Sequence, residues 1–307
     1  MLVRLGIEQY MTHHLGAAID TVTSTYALWR EAGNRAGLSA AHDSAAVFEY
    51  YNAHRRRAEE YADKAADLAG STAELAYGAA RVTRGYLANQ RGEYELARQC
   101  AGDGQRIADA HDSEPLAVRS DTVSAAIALA TQEVGARERL AVRIDAARTL
   151  GLDELASTGY SNLAYLDVEQ RRLRAAEHVL EQSLAFAVER DIPICHHWQT
   201  GIRSRMHLLQ GRWQAALEDA ASVLDRSGMP LALLWPNVVN GLVALRRSGS
   251  DGGHLETAWL LAEQLDEPLR TLPVLSALAE RMWLTGQADD RVSTTAVAAL
   301  DTWSGSR

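Results

Sequence analysis

A small alanine returns along this chain with a period near forty residues, each time three places after a large residue that follows a turn. In QRGEYELARQC, Tyr94 stands three before Ala97. EQRRLRAAEHVL sets Leu173 before Ala176, and LQGRWQAALEDA sets Trp213 before Ala216. HHLGAAIDTV fits more loosely with Leu15 and Ala18, while NAHRRRAEEYA supplies Ala58 with no large residue at the matching place. The alanines fall at 18, 58, 97, 176 and 216, so the unit due near Ala136 is degenerate but keeps the phase. Pro115, Pro193, Pro230 and Pro268 mark the other end of the unit. Proline suits the first turn of a helix, where its missing N–H has no partner to lose.

A repeat of this length predicts one helix hairpin per unit. The segment 158–170 reads as a first helix and 175–190 as a second, with Leu163, Leu166, Leu180 and Leu184 on faces that pack together. The small alanine lets the second helix approach the first, and the large residue fills the space beside the turn. One hairpin cannot bury its apolar stripe, whereas a stack can. About seven hairpins cover the chain, with a weaker eighth in 286–303. A length of 307 residues would otherwise suggest two domains. The repeat replaces that expectation with one domain over 1–307, an all-α, right-handed superhelical solenoid.

Composition closes off several alternatives. Hydrophobic residues form 47% of the chain and prolines number only 6, too apolar for a disordered chain and too poor in proline for a collagen-like one. A net charge of −9 argues against general affinity for nucleic acid or anionic membrane. Two cysteines, Cys100 and Cys195, cannot build a disulfide framework. The opening residues lack a secretory pattern, and the apolar run at 229–235 is far short of the roughly 20 residues that span a bilayer. These readings predict a cytoplasmic protein.

The packing pattern G-x-[YW]-x-x-A resembles tetratricopeptide repeats, stretched to about forty residues. More closely, SNLAYLDVEQRRLRAAEHVLEQSLAFAVERD (161–191), LLQGRWQAALEDAASVL (208–224) and ALAERMWLTGQ (277–287) resemble the C-terminal helical-repeat arm of actinobacterial LuxR-type signal-transduction ATPase regulators, relatives of the maltose regulator. The opening LVRLGIEQYMTHHLGAAID resembles the start of that arm. Such regulators carry a P-loop ATPase and a helix-turn-helix. Lys64 is the only lysine here, and no G-x-x-x-x-G-K-[ST] surrounds it. The resemblance therefore implies a sensing or docking arm, without the motor or the DNA reader.

No catalytic or metal constellation stands out. Cys195, His196 and His197 are consecutive and His207 lies about three helical turns after His196, yet adjacent histidines diverge on a helix and no H-E-x-x-H or paired C-x-x-C occurs. His13 and His14 mark a turn, and Cys100 reads as a small buried hydrophobe. No Ser-His-Asp or Cys-His arrangement is readable, and neither cofactor nor metal is expected. Arginines gather at the turns inside hairpins (55–57, 91, 171, 172, 174, 212), and acids at the turns between hairpins (Asp112, Glu114, Asp153, Glu154, Asp191, Glu267). Helix dipoles favour that distribution without any ligand. Trp29, Trp213, Trp235, Trp259 and Trp283 are expected in the core.

First-helix positions that face the concave groove in tetratricopeptide arrays are, by resemblance, Asp43, Tyr50, Tyr51, Tyr86, Asn89, Tyr165, Glu169, Trp198 and Arg205. Tyrosines with an amide and charges of both signs suit a peptide or small amphipathic ligand. The expected function is non-enzymatic: a regulatory or scaffold protein that binds a protein segment or effector in its groove, in transcriptional or signalling control. A stand-alone small-molecule sensor is the second reading, and an enzyme with a groove-built site the third. Leu2, Val3, Leu5 and Ile7 leave an apolar end, which points to homo-oligomers through the chain ends.

Overall fold

The computed structural model describes residues 2–69, 74–226 and 228–304, with side chains through 298. Sixteen α-helices in these residues pair as eight consecutive hairpins: α1 (Leu2–Met11) with α2 (Leu15–Glu31), α3 (Arg35–Tyr51) with α4 (Arg55–Leu68), α5 (Leu75–Arg91) with α6 (Tyr94–Ala110), and α7 (Glu114–Ala130) with α8 (Ala136–Thr149). There follow α9 (Asp153–Glu169) with α10 (Leu173–Glu189), α11 (Pro193–Leu209) with α12 (Trp213–Leu224), α13 (Leu234–Ser248) with α14 (His254–Leu265), and α15 (Pro268–Thr285) with α16 (Asp290–Ser304). A 3₁₀ turn, Pro230–Leu233, leads into α13. The fold is an all-α helical-repeat solenoid, and no strand occurs among the described residues.

The period is written in the backbone as well as in the side chains. Inside successive hairpins one residue adopts the left-handed conformation: His13, Ala53, Gly92, Gln132, Arg171 and Gly211, each 39 or 40 after the last. The next residue's N–H then reaches back five positions, as His14 to Gln9, His54 to Glu49, Glu93 to Ala88, Glu133 to Ala128, Arg172 to Asp167 and Arg212 to His207. That bond satisfies a carbonyl orphaned by the end of the first helix. Only Gly92 and Gly211 adopt this geometry without a Cβ penalty; at the other turns the cap has to outweigh about 1–2 kcal/mol.

The alanines at 18, 58, 97, 136, 176 and 216 are all at most 1% exposed, which places the second helix of each hairpin hard against the first. Leu163, Leu166, Leu180 and Leu184 are buried as their pattern predicts. Two expectations change. Arg55 occupies the supposedly empty place before Ala58, is 3% exposed, and packs as the large residue of its turn while its Nε donates to the Leu265 carbonyl. Trp283 is 81% exposed rather than in the core, because it lies in the last turn of α15 beyond the reach of the preceding hairpins.

Curvature brings distant hairpins together. Besides the contacts between neighbours, α1 touches α11, α3 touches the 3₁₀ turn before α13, and α5 touches α15. Each pair is five hairpins apart, so the first helices of the early units face those of the late ones across the inside of the superhelix. One cluster of buried residues consequently runs from Tyr10 to Leu278. At the α1–α11 crossing the rings of His13 and His197 lie 4.3 Å apart. Burial holds both imidazoles neutral, with His197 pushed down to about 4, and His13, His196 and Arg226 add repulsion to its charged form.

Two outcomes are expected. Enlarging a packing alanine, Ala176→Leu, should cost about 1–3 kcal/mol by overpacking, whereas the same change at exposed Ala185 should be nearly neutral; denaturant midpoints measure both. The His197 contribution to stability is fully present above the unfolded value near 6.5 and is lost as pH falls toward its folded value of about 4. Melting temperatures between pH 7 and pH 4.5 should therefore fall less steeply for His197→Gln than for the parent chain.

Candidate functional site

The space enclosed by the curve is a chamber walled by first helices. Its middle portion, about 620 Å³ out to the open mouth, is bounded by Val47, Tyr50, Tyr51, Tyr86, Arg119, Glu154 and Asn162 among others. A smaller inner recess of about 290 Å³ continues from it, sharing Tyr51, Tyr86, Thr158 and Asn162 and ending on Tyr165, Trp198, Leu231 and Arg270. An outer vestibule shares Val47, Arg119, Glu154 and Leu155 and opens past Ile7, Tyr10 and Asp43 to the turns between hairpins. The repeat builds this lining. Asp43, Thr83, Thr122 and Ser161 stand at the same place, eight residues after the first, in α3, α5, α7 and α9, so one polar position per hairpin faces inward.

At the mouth, the Thr83 hydroxyl donates to Asp43, and the Arg119 guanidinium donates to Thr83 at 2.7 Å and to Asp43 at 3.4 Å. Deeper in, Glu154 meets the Tyr10 hydroxyl at 3.5 Å, and burial raises its carboxyl above the ordinary range. Tyr50 packs edge-on against both Tyr51 and Tyr86 at 5.5 Å. Burial pushes all three phenols up, so none offers an anion near neutrality.

The inner end is closed by the chain itself. Arg270, 3% exposed, is inserted from α15 with its guanidinium 5.1 Å from the Tyr165 ring and 5.0 Å from the Trp198 ring. It donates to Glu267 at 2.5 Å, to the Tyr50 hydroxyl at 3.2 Å and to Gln90 at 3.4 Å. Burial opposes its charge, but Tyr50 and Glu267 hold the guanidinium protonated. The Tyr165 hydroxyl donates to the Leu269 carbonyl, and Asp266 bridges Arg55 at 3.4 Å and Arg91 at 3.2 Å. The remaining Arg270 nitrogen, Nη1, has no hydrogen-bond partner among the described residues.

The predicted groove residues separate into groups. Tyr50, Tyr51, Tyr86, Tyr165 and Trp198 converge on the chamber and on Arg270. Asp43 lies at the mouth. Glu169 and Arg205 form a bidentate pair at 2.6 and 3.1 Å, with Arg205 stacked 4.6 Å above the ring of Trp235. Asn89 is buried away from the described cavities, its Oδ1 unpartnered. Arg119, Glu154, Thr158, Asn162 and Arg270 were not among the predicted residues. Register counting from Asp43 arrives at Ser161, which lines the recess beside Asn162, but Arg270 comes from a helix 220 residues from Tyr50. Cys100 is wholly buried, and Cys195 is buried with its thiol pushed up to about 12, so neither is a ready nucleophile. No group of three or more His, Cys, Asp or Glu among the described residues is placed to hold a metal ion. No described helix is long and apolar enough to cross a membrane.

No family model matches the chain, and no curated protein resembles it in sequence. Among solved structures it is similar to the apo form of RapI, with a TM-score of 0.52 over 91% of this chain and 98% of that one, at 12% identity. A likeness at that identity shows the fold.

Arg270→Ala leaves Glu267 buried without its cation and should cost about 3–5 kcal/mol. Removing both groups, Arg270→Ala with Glu267→Ala, should recover part of that loss, because no uncompensated charge stays inside. Denaturant titration of the single and double variants gives the coupling energy.

Proposed function

We propose that this chain is a non-enzymatic regulatory binding protein that takes a short extended peptide segment into its central chamber. The observation that carries this reading is the tyrosine-walled chamber continuing into the recess beneath Arg270. The space open to the centre of a water-sized sphere is narrow, about 70 Å³ in the chamber and about 10 Å³ in the recess, which suits a thin, extended group rather than a bulky one. An α-helix with its side chains, about 10–12 Å across, is too wide for the recess. Aromatic walls with few polar groups supply apolar burial and orientation. Among the described residues, no activated nucleophile lines the chamber with them.

A stand-alone sensor of a small molecule is the second reading, favoured by the apolar and aromatic lining of the middle chamber. In either case the ligand would act through curvature, because the chamber wall is also the contact between hairpins five apart. The resemblance to a regulator arm suggests transcriptional or signalling control as the setting. In that setting 1–307 works as one unit in the cytoplasm, and Leu2, Leu5 and Ile7, exposed on α1, offer a surface for self-association.

Native mass spectrometry of the chain purified from its own host is expected to show a retained peptide or small molecule. Tyr86→Ala should weaken its binding by about tenfold or more, the equivalent of roughly 1.4 kcal/mol of lost burial. Unchanged binding in both Tyr86→Ala and Tyr51→Ala would place the ligand elsewhere.

A further inference from the structure

Resting on the reading of the chamber as a binding site, we infer that its ligand carries an ammonium group, seated against Glu154 and faced by the tyrosine wall. Four charged side chains line the vestibule and middle chamber: Asp43, Arg119, Asp153 and Glu154. Arg119 is committed to Asp43, whose other oxygen takes the Thr83 hydroxyl. Asp153 has Arg190, just past the end of α10, 3.9 Å away. Glu154 is left. It borders both the middle chamber and the vestibule, so it sits where any ligand entering from the mouth must pass. It accepts from the Tyr10 hydroxyl at the long distance of 3.5 Å, and Arg119 favours its charge only through space, because that guanidinium is hydrogen-bonded to Thr83 and Asp43.

The chamber therefore presents one carboxylate more than its cations cover. Burial makes that charge expensive, as the raised carboxyl of Glu154 reflects. A ligand ammonium relieves the cost by supplying the missing charge and hydrogen-bond donors. Charge-assisted bonds of this kind are among the stronger ones available to a protein. The surroundings suit the rest of such a ligand. Val47, Val82, Leu87, Val123 and Leu155 provide apolar walls, and the faces of Tyr50, Tyr51 and Tyr86 attract a cation. A carboxylate ligand finds no such site in this part of the chamber, because Arg119 already has its partners. A peptide N-terminus and a free aliphatic or aryl amine share the required chemistry.

The test uses the full chain with phenethylamine, hexylamine and an unblocked short hydrophobic peptide. Each is compared with a neutral isostere: phenethyl alcohol, hexanol and the N-acetylated peptide. Phenylpropionate and hexanoate serve as anionic counterparts, and calorimetric titration is the readout. The charged amines are expected to bind about tenfold or more tightly than the neutral isosteres. Glu154→Gln should abolish that preference, and Glu154→Asp should keep it at reduced affinity. A response to the unblocked peptide but not to the simple amines assigns the ammonium to a peptide N-terminus; the converse assigns it to a small amine. Equal affinity for amines and neutral isosteres, or preference for the acids, overturns the inference. If the neutral isosteres then lose affinity in Tyr86→Ala, the chamber still stands as a binding site. Failure of every probe to bind removes both.

Discussion

The enclosed pairing of Arg270 with Glu267 is the contact on which the interior of this molecule depends. A guanidinium cannot be buried without donors satisfied and charge compensated. Here the compensation comes from Glu267 three residues earlier, while Tyr50 and Gln90, on α3 and α5, accept its donors. Tyr165 and Trp198, on α9 and α11, supply the ring faces. One side chain thus ties five helices from both halves of the chain. The chamber has an inner end because this residue is held there, and it has walls because the hairpins that carry those walls are brought face to face.

The charge pattern of the turns acquires a different meaning in that geometry. Dipole complementarity explains why bases and acids favour opposite helix ends, and the two rims would be independent in an open array. In the curved molecule they meet. Asp266, at a turn between hairpins, lies between Arg55 and Arg91, each at the turn within a hairpin. Arg172 is drawn to buried Asp167, and Arg212 to Glu177. Much of the basic rim is consequently engaged within the chain, which leaves it poorly suited to an acidic partner.

Local packing was legible in the sequence because it recurs. The alanines, the large residue before them and the prolines each answer to a neighbour within one hairpin, so a period in the letters reports a period in space. Asp43, Tyr50, Tyr51 and Tyr86 could be placed on the inner face by resemblance to tetratricopeptide arrays, and they line the chamber or its mouth. Arg270 and Glu154 could not be placed that way. Glu154 reads as an ordinary acid in the first turn of a helix, and only the position of Tyr10, from α1, shows that it looks into a chamber. Arg270 has no equivalent in other repeats, since only the last hairpin reaches back across the curve. Trp283 misled for a related reason: the pattern assigns a face, but the final unit has no successor to cover it. Arg55 was overlooked because a charged residue was not credited with a packing role that its aliphatic stem can fill.

Linear repeat arrays ordinarily soften from their ends, since a terminal unit has a neighbour on one side only. The five-hairpin offset alters that order of melting. Hairpins one to three are clasped by hairpins six to eight, so the early units gain a second set of neighbours in place of a free end. The fifth hairpin is held to the first through Glu154 and Tyr10 and to the eighth through Tyr165 and Leu269, which leaves the fourth the least clasped. Mechanical compliance shifts accordingly toward the middle of the chain, where the array can flex like the bow of a clasp, with its two arms held together at the tips.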